Sequence, residues 1–295
     1  MGTNVCSTRR VRVGVALVAA LGFCASAQPS WAKPNCAAGN KVSKKGTASS
    51  LSVVALTADG RLVCFKDRSP DKTSEIGTIT GLAGADTSLV GIDFRVQDGM
   101  LYGVGNAGGV YTIDTTTAVA TPGVALTTAL TPGTFFGVDF NPAADRLRIV
   151  SDAGLNLRHN VNAAGTTLTD STLAYTVAAT GVNGAAYVNN DLASSTGTTL
   201  FDLDSDLDQI SLQSPPNAGS LVATGKLGID ASPPVGLDVF SGTVGGVTVS
   251  NQAFASFTAL GAPAFYRINL LTGTATFVDV FDVPVVDIAI PLAVE

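Results

Sequence analysis

Four aspartates stand at one place in a recurring phrase: Gly91-Ile92-Asp93-Phe94, Gly137-Val138-Asp139-Phe140, Gly236-Leu237-Asp238-Val239 and, near the C-terminus, Val285-Val286-Asp287-Ile288. Carboxylates brought together repel one another unless a cation, a donor or a proton relieves them, and hard oxygen ligands of this kind suit Ca²⁺. Two readings stay open at this stage. Asp93, Asp139, Asp238 and Asp287 ligate a metal, or each accepts backbone N–H bonds from a neighbouring repeat and locks the repeats in register.

A second concentration of donors follows the second phrase: Arg146, Arg148, Asn156 and Arg158, with His159 and Asn160 beside them. Guanidinium forks on adjacent strands clamp a carboxylate-bearing ligand or glycan bidentately. They do the same to internal acids, and Asp139, Asp145 and Asp152 are near in sequence. The run Asp202-Leu-Asp-Ser-Asp-Leu-Asp208 resembles the opening of a calcium loop, but Leu207 stands where such a loop needs glycine and Gln213 where it needs its last acid. It reads as an acidic turn. His159 is the chain's only histidine, and no Gly-x-Ser-x-Gly elbow, Walker loop, dinucleotide fingerprint or zinc spacing accompanies it. No catalytic residue is assigned.

The elements that carry these residues follow from the phrase itself, which returns at intervals of roughly fifty residues and degenerates once, to Gly184-Ala185-Ala186-Tyr187. That period in a β-rich chain is the signature of propeller blades, each a small sheet that buries its faces against its neighbours. In the second repeat, alternation and turn residues place strands at 89–95, 100–104, 110–114 and 118–124, with Asp98-Gly99 and Gly108-Gly109 supplying turns. Residues 52–82 offer only three strands, at 53–57, 61–65 and 76–81. The missing first strand is the C-terminal phrase around Asp287. A ring closed in this way has no open edge between its ends. The expected fold is an all-β propeller of five four-stranded blades over 51–295, or six if an insertion hides a degenerate repeat. Insertions at 189–198 and 241–252 fall between the first and second strands of their blades.

The 295 residues are 46% hydrophobic and only 14% charged. Residues 1–27 read as an export signal: Arg9, Arg10 and Arg12, an apolar run, then Ala25-Ser26-Ala27. Residues 28–50 read as a flexible leader, and nothing later in the chain reaches the length of a transmembrane helix. Removing three arginines from a net charge of −6 leaves −9, which repels phosphate backbones and excludes nucleic acid as a partner. A secreted or periplasmic location follows. The two cysteines beyond the signal, Cys36 and Cys64, are expected to form a disulfide in an oxidising compartment, the alternative being two buried thiols.

The phrases Val90-Gly-Ile-Asp-Phe-Arg95, Leu101-Tyr-Gly103, Val110-Tyr-Thr-Ile-Asp114, Gly137-Val-Asp-Phe-Asn-Pro142, Asp145-Arg-Leu-Arg-Ile-Val-Ser151, Asn156-Leu-Arg158 and Pro215-Pro-Asn-Ala-Gly219 resemble the bacterial family of domain of unknown function 4394. The resemblance spans about 53–287 and implies a secreted or surface-exposed, propeller-like domain. It brings no activity and no catalytic residues. The expected function is a secreted, non-catalytic propeller binding a protein, glycan or small polar ligand. The alternative is a metal-dependent hydrolase or lactonase-like enzyme with a cation, Ca²⁺ by its ligands, in the channel.

Overall fold

A computed structural model describes residues 38–162 and 165–295. The expected signal segment and Cys36 lie outside the described residues. In chain order the strands are β1 (Asn40–Lys41), β2 (Ser52–Thr57), β3 (Arg61–Lys66), β4 (Ser69–Thr78), β5 (Leu89–Phe94), β6 (Leu101–Gly105), β7 (Val110–Ile113), β8 (Ala120–Pro122), β9 (Phe136–Asn141), β10 (Arg146–Ser151), β11 (Asn156–His159), β12 (Thr167–Thr169), β13 (Val182–Tyr187), β14 (Leu200–Asp204), β15 (Gln209–Gln213), β16 (Leu221–Lys226), β17 (Ser232–Val244), β18 (Val247–Ala259), β19 (Ala262–Ile268), β20 (Ala275–Val280), β21 (Val285–Ala289) and β22 (Ala293–Val294).

They form five four-stranded antiparallel sheets. Blade one is β21-β2-β3-β4, and blades two to five are β5–β8, β9–β12, β13–β16 and β17–β20. The innermost strands touch in the cyclic order β5, β9, β13, β17, β21 and back to β5. This is the five-bladed propeller that the repeat predicts. Its closure is the expected one: β21 pairs with β2, Val54 opposite Ala289 and Leu56 opposite Asp287.

The glycine of each phrase is there because adjacent inner strands nearly touch. A Cβ on Gly91 would stand 2.5 Å from Val138 Cγ2, one on Gly137 2.6 Å from the Ala185 nitrogen, and one on Gly236 2.8 Å from the Ile288 nitrogen. Apolar residues fill the blade interfaces, as they must to offset the entropy of ordering the chain. Between blades five and one, Phe65, Phe254, Phe265 and Phe281 pack with Val285 and Ile288, and Phe65 meets Phe265 edge-on at 5.1 Å. The apolar layer between blades three and four is thinner, built around Val150, Leu173, Val182, Tyr187 and Leu200. A polar layer takes up part of that interface.

Three local differences from the sequence reading have physical causes. β4 begins at Ser69, earlier than the strand expected at 76–81, because β3 continues to pair with it as far as Lys66 opposite Ser69. The insertion at 241–252 is not a loop. β17 and β18 run on as a ladder of thirteen residues each, turned by Gly245 and Gly246 at φ +59° and +75°, with the Glu295 carboxylate accepting both glycine N–H groups at 2.8 Å. The described part of the expected leader is also placed: β1 pairs in parallel with β22, and buried Asn40 donates to Pro291 O at 2.7 Å.

Candidate functional site

The repeated aspartates converge on the inner strands, and each reaches into the next blade. Asp287 of blade one accepts the Ile92 N–H at 2.8 Å, Asp93 of blade two the Phe140 N–H at 2.7 Å, Asp139 of blade three the Tyr187 N–H at 3.0 Å, and Asp238 of blade five the Ile290 N–H at 2.5 Å. Asp93, Asp238 and Asp287 each accept a second bond from the following residue of their own strand. Blade four, with Ala186 in this place, has no such staple to blade five. All four carboxyls are buried. Oxygens of Asp93, Asp139 and Asp238 lie within 4.8 Å of one another, the one such acid, histidine or cysteine grouping among the described residues.

Desolvation pushes all four well above the usual carboxylate range, Asp238 to about 7, against the pull of the backbone donors. Neighbouring carboxylates add to the rise at Asp93, Asp139 and Asp287. Such a group either shares protons or holds a cation. Seven backbone N–H bonds already occupy oxygens of the four carboxyls, five of them at Asp93, Asp139 and Asp238, and these donors compete with a cation for the same lone pairs.

The blade-three donors divide. Arg146 turns back onto its own loop, donating to Asp145 O at 2.7 Å. Arg148 and Arg158 sit opposite each other on β10 and β11, as expected, but the carboxylate in their fork is the chain's own Asp170. Arg148 Nη1 donates to Asp170 at 2.8 Å and to Asn156 Oδ1 at 2.7 Å, its Nη2 to Asn217 Oδ1 at 2.8 Å, and Arg158 Nε to Asp170 at 2.9 Å. Arg148 is 2% exposed, so it presents nothing to an outside ligand. Asn156 completes the cluster through Ser171 O and Pro216 O. His159 is buried between Thr167 Oγ1 and Val124 O, and burial lowers its pKa, which keeps it neutral.

Sequence reasoning missed the partner side of this interface. Asp202 and Asp204, read as part of an acidic turn, are on β14 and fully buried; only Asp206 and Asp208 lie in the turn. Neither oxygen of Asp202 has a hydrogen-bond partner among the described residues, and burial drives its pKa well up while the Arg148 charge opposes the rise. A buried carboxyl without partners costs stability, so an apolar residue of similar size is favoured there. Asp202→Val is therefore expected to stabilise by about 1–3 kcal/mol, read as a higher thermal midpoint. A lower midpoint would mean that Asp202 contributes through Arg148.

A different kind of site lies where the two insertions meet. The 189–198 loop is stitched to the β17–β18 hairpin. Asn189 N–H donates to Asn251 Oδ1 at 3.2 Å and Asn251 Nδ2 returns to Asn189 Oδ1 at 2.7 Å; Asn190 N–H reaches Ser241 Oγ at 2.9 Å, and Thr248 N–H reaches Asp191 at 2.8 Å. On one side of the loop is a cavity of about 620 Å³ between blades four and five, with Val188, Phe201, Ala253, Ile268 and Leu270 in its walls. On the other is a cavity of about 430 Å³ facing the turns of blades two and three, walled by Gln97, Asp191, Ser194 and Thr196 among others. The signal for this face was the unequal length of the connections after the first strands.

The family model described as domain of unknown function (DUF4394) matches residues 61–289. No curated protein matches the chain. Among solved structures it is similar to a structural genomics protein of unknown function from Bacteroides thetaiotaomicron, at 12% identity and a TM-score of 0.46 over 84% of this chain and 68% of that one. It is also similar to an auxiliary nutrient binding protein from Bacteroides ovatus, at 14% identity and 0.39 over 58% of this chain and 46% of that one. A glutaminyl cyclase from Myxococcus xanthus matches at 14% and 0.36, over 68% and 69%. The chain thus spans about half the length of the nutrient binding protein.

Proposed function

Because this chain belongs to the DUF4394 family, whose name assigns no activity, the site must serve as guide, and we propose that it is a secreted or periplasmic propeller scaffold, non-catalytic, that binds a small polar ligand or glycan on its insertion face. The observation that supports this most is the stitched pair of insertions. A loop that merely joins two strands needs no such bracing, whereas walls held rigid on both sides of a cavity reduce the ordering cost of binding. The cavities fall in the volume range of small-molecule sites.

The test is a fragment screen by protein-observed NMR on wild type and on a variant in which residues 190–197 are replaced by a short Gly-Ser link. Hits are expected to cluster on signals of the loop and of the β17–β18 hairpin and to be lost in the variant while the rest of the spectrum holds. Hits confined to other faces would overturn the reading.

A second reading, an enzyme with a channel cation, is favoured by the closeness of Asp93, Asp139 and Asp238. A bound ion stabilises only the folded form, so it raises the thermal midpoint by an amount that grows with the logarithm of its free concentration above Kd. We expect no change in midpoint when EDTA is added to the purified protein. A fall of several degrees, reversed by Ca²⁺, would instead support the metal reading.

A further inference from the structure

We propose that the tip of the β17–β18 hairpin and the lysines beside it dock on an anionic lipid surface. The contact is separate from the cavities and does not depend on what they bind.

Charge is divided unequally along the chain. Residues 41–72 carry seven lysines and arginines against three aspartates, whereas residues 73–295 carry six against twenty acids. The acidic total therefore hides one basic region. Ion pairs among the described residues use Arg61, Arg95, Arg148, Arg158 and Arg267, which leaves Lys41, Lys44, Lys45, Lys66 and Arg68 exposed and without a carboxylate. Of the three aspartates, Asp59 holds Arg61 and Asp67 is buried against Arg267, so only Asp71 opposes them.

The fold gathers these cations around the hairpin. Lys66 pairs with Ser52, at the end of β2 that lies beside the end of β21, and Asn40 exchanges two hydrogen bonds with Ser52, which sets Lys41 next to it. The turn that holds Lys44 and Lys45 is pinned to the hairpin, Ser250 Oγ donating to Gly46 O at 2.9 Å. The hairpin itself projects. Aligned on the repeat, β5 ends where Val239 stands in β17, and β17 runs on to Val244, roughly 15 Å further at the rise of a strand. Valines cluster at its tip. Val244 and Val247 face each other across the turn, 39% and 38% exposed, Val249 follows on the same side at 55%, and exposed Val294 lies opposite Lys41 on β22.

Apolar side chains ringed by lysines suit a lipid surface, where valines enter the headgroup boundary while ammonium groups meet the phosphates. A soluble polyanion would use the lysines and leave the valines in water. Charges are screened over about 8 Å at physiological ionic strength, so a tip standing roughly 15 Å out is little repelled by the acids of the ring behind it. Glu295 is an acid at the tip, and its carboxylate is engaged by the Gly245 and Gly246 N–H groups.

Vesicle co-sedimentation tests this on the protein without residues 1–27, whose apolar run would bind lipid by itself. Vesicles of phosphatidylcholine mixed with phosphatidylglycerol are expected to take up the protein and to release it at high salt, while phosphatidylcholine alone takes up none. Each lysine near such a surface is worth about fivefold in partition, so Lys44→Gln with Lys45→Gln should weaken binding roughly twentyfold. Val247→Ser with Val249→Ser should weaken it several-fold and leave any binding to soluble dextran sulfate unchanged. All four positions are exposed, and both variants should keep the wild-type thermal midpoint. Binding to neither kind of vesicle, equal binding to both, or full vesicle binding by either variant would overturn the proposal. Should the valine variant bind vesicles and dextran sulfate as the wild type does, the patch is a polyanion site and the lipid assignment falls.

Discussion

The protein is expected to gain stability on acidification, its thermal midpoint lying about 5–10 °C higher near pH 5 than near pH 8. The four channel carboxyls have folded pKa values above the unfolded value of about 3.9, so between the two values the folded state holds more protons than the unfolded chain. Their contribution is complete below about pH 4 and is lost as the pH rises through the folded pKa, which for Asp238 is about 7. Asp238 alone is worth on the order of 4 kcal/mol across that window, and coupling to Asp93 and Asp139 makes the combined slope smaller than four independent groups would give. Below about pH 4 the curve turns over, because Asp145, which Arg95 holds below the usual range at 2.6 Å, is protonated and its contribution is lost. Thermal unfolding from pH 3 to 9 checks this. Asp139→Asn retains an acceptor for the Tyr187 N–H and removes one titrating group, so it should flatten the slope; a wild-type midpoint that rises with pH through the window would refute the assignment.

Removing residues 285–295 is expected to leave an open arc of blades that aggregates and is readily cleaved. The truncation takes away β21, leaving the β2 edge unpaired, and with it Val285, Ile288 and Ile290 from the aromatic core between blades five and one. Those three side chains alone contribute on the order of 5–9 kcal/mol, comparable with the total stability of most domains. The Asp287 staple to Ile92 and the Ile290 end of the Asp238 staple go as well. Circular dichroism and limited proteolysis should show an aggregating or rapidly cleaved chain. A truncated protein that melts cooperatively near the wild-type midpoint would show that the ring does not depend on its closing strand.

The repeat made the architecture legible because one geometric demand recurs at blades two, three and five. A glycine must admit the neighbouring inner strand, and an aspartate must meet an N–H across the gap, so Gly91-Ile92-Asp93 and Gly137-Val138-Asp139 carry the same letters. Turn glycines such as Gly99, at φ +70°, marked strand ends for a similarly local reason. The polar interface of blades three and four was not legible. Asp202, Ser211 and Gln213 are buried by a neighbour that no local pattern announces, and an Asp-rich run reads as exposed wherever its partner is invisible. Likewise, nothing near Arg148 in sequence points to Asp170 or Asn217 as the groups that fill its fork. The cavity walls were visible only as unequal spacing, since Asn189 and Asn251 lie 62 residues apart.

The pairing of β21 with β2 also sets the order in which the molecule assembles. Val54 and Ala289 stand far apart in the chain, and bringing such distant segments together carries a loop-closure cost of about 5 kcal/mol, which the interfaces among the other strands must offset before β21 docks on β2. Until then the arc of blades ends in an unpaired edge at β2, and the edge accepts the last strand of any copy of this chain that reaches it. Refolding at high concentration therefore sends two arcs toward mutual exchange of their final strands, giving dimers with native blades and no misfolded core. Slow release of the chain, one molecule at a time, favours the ring closing on itself.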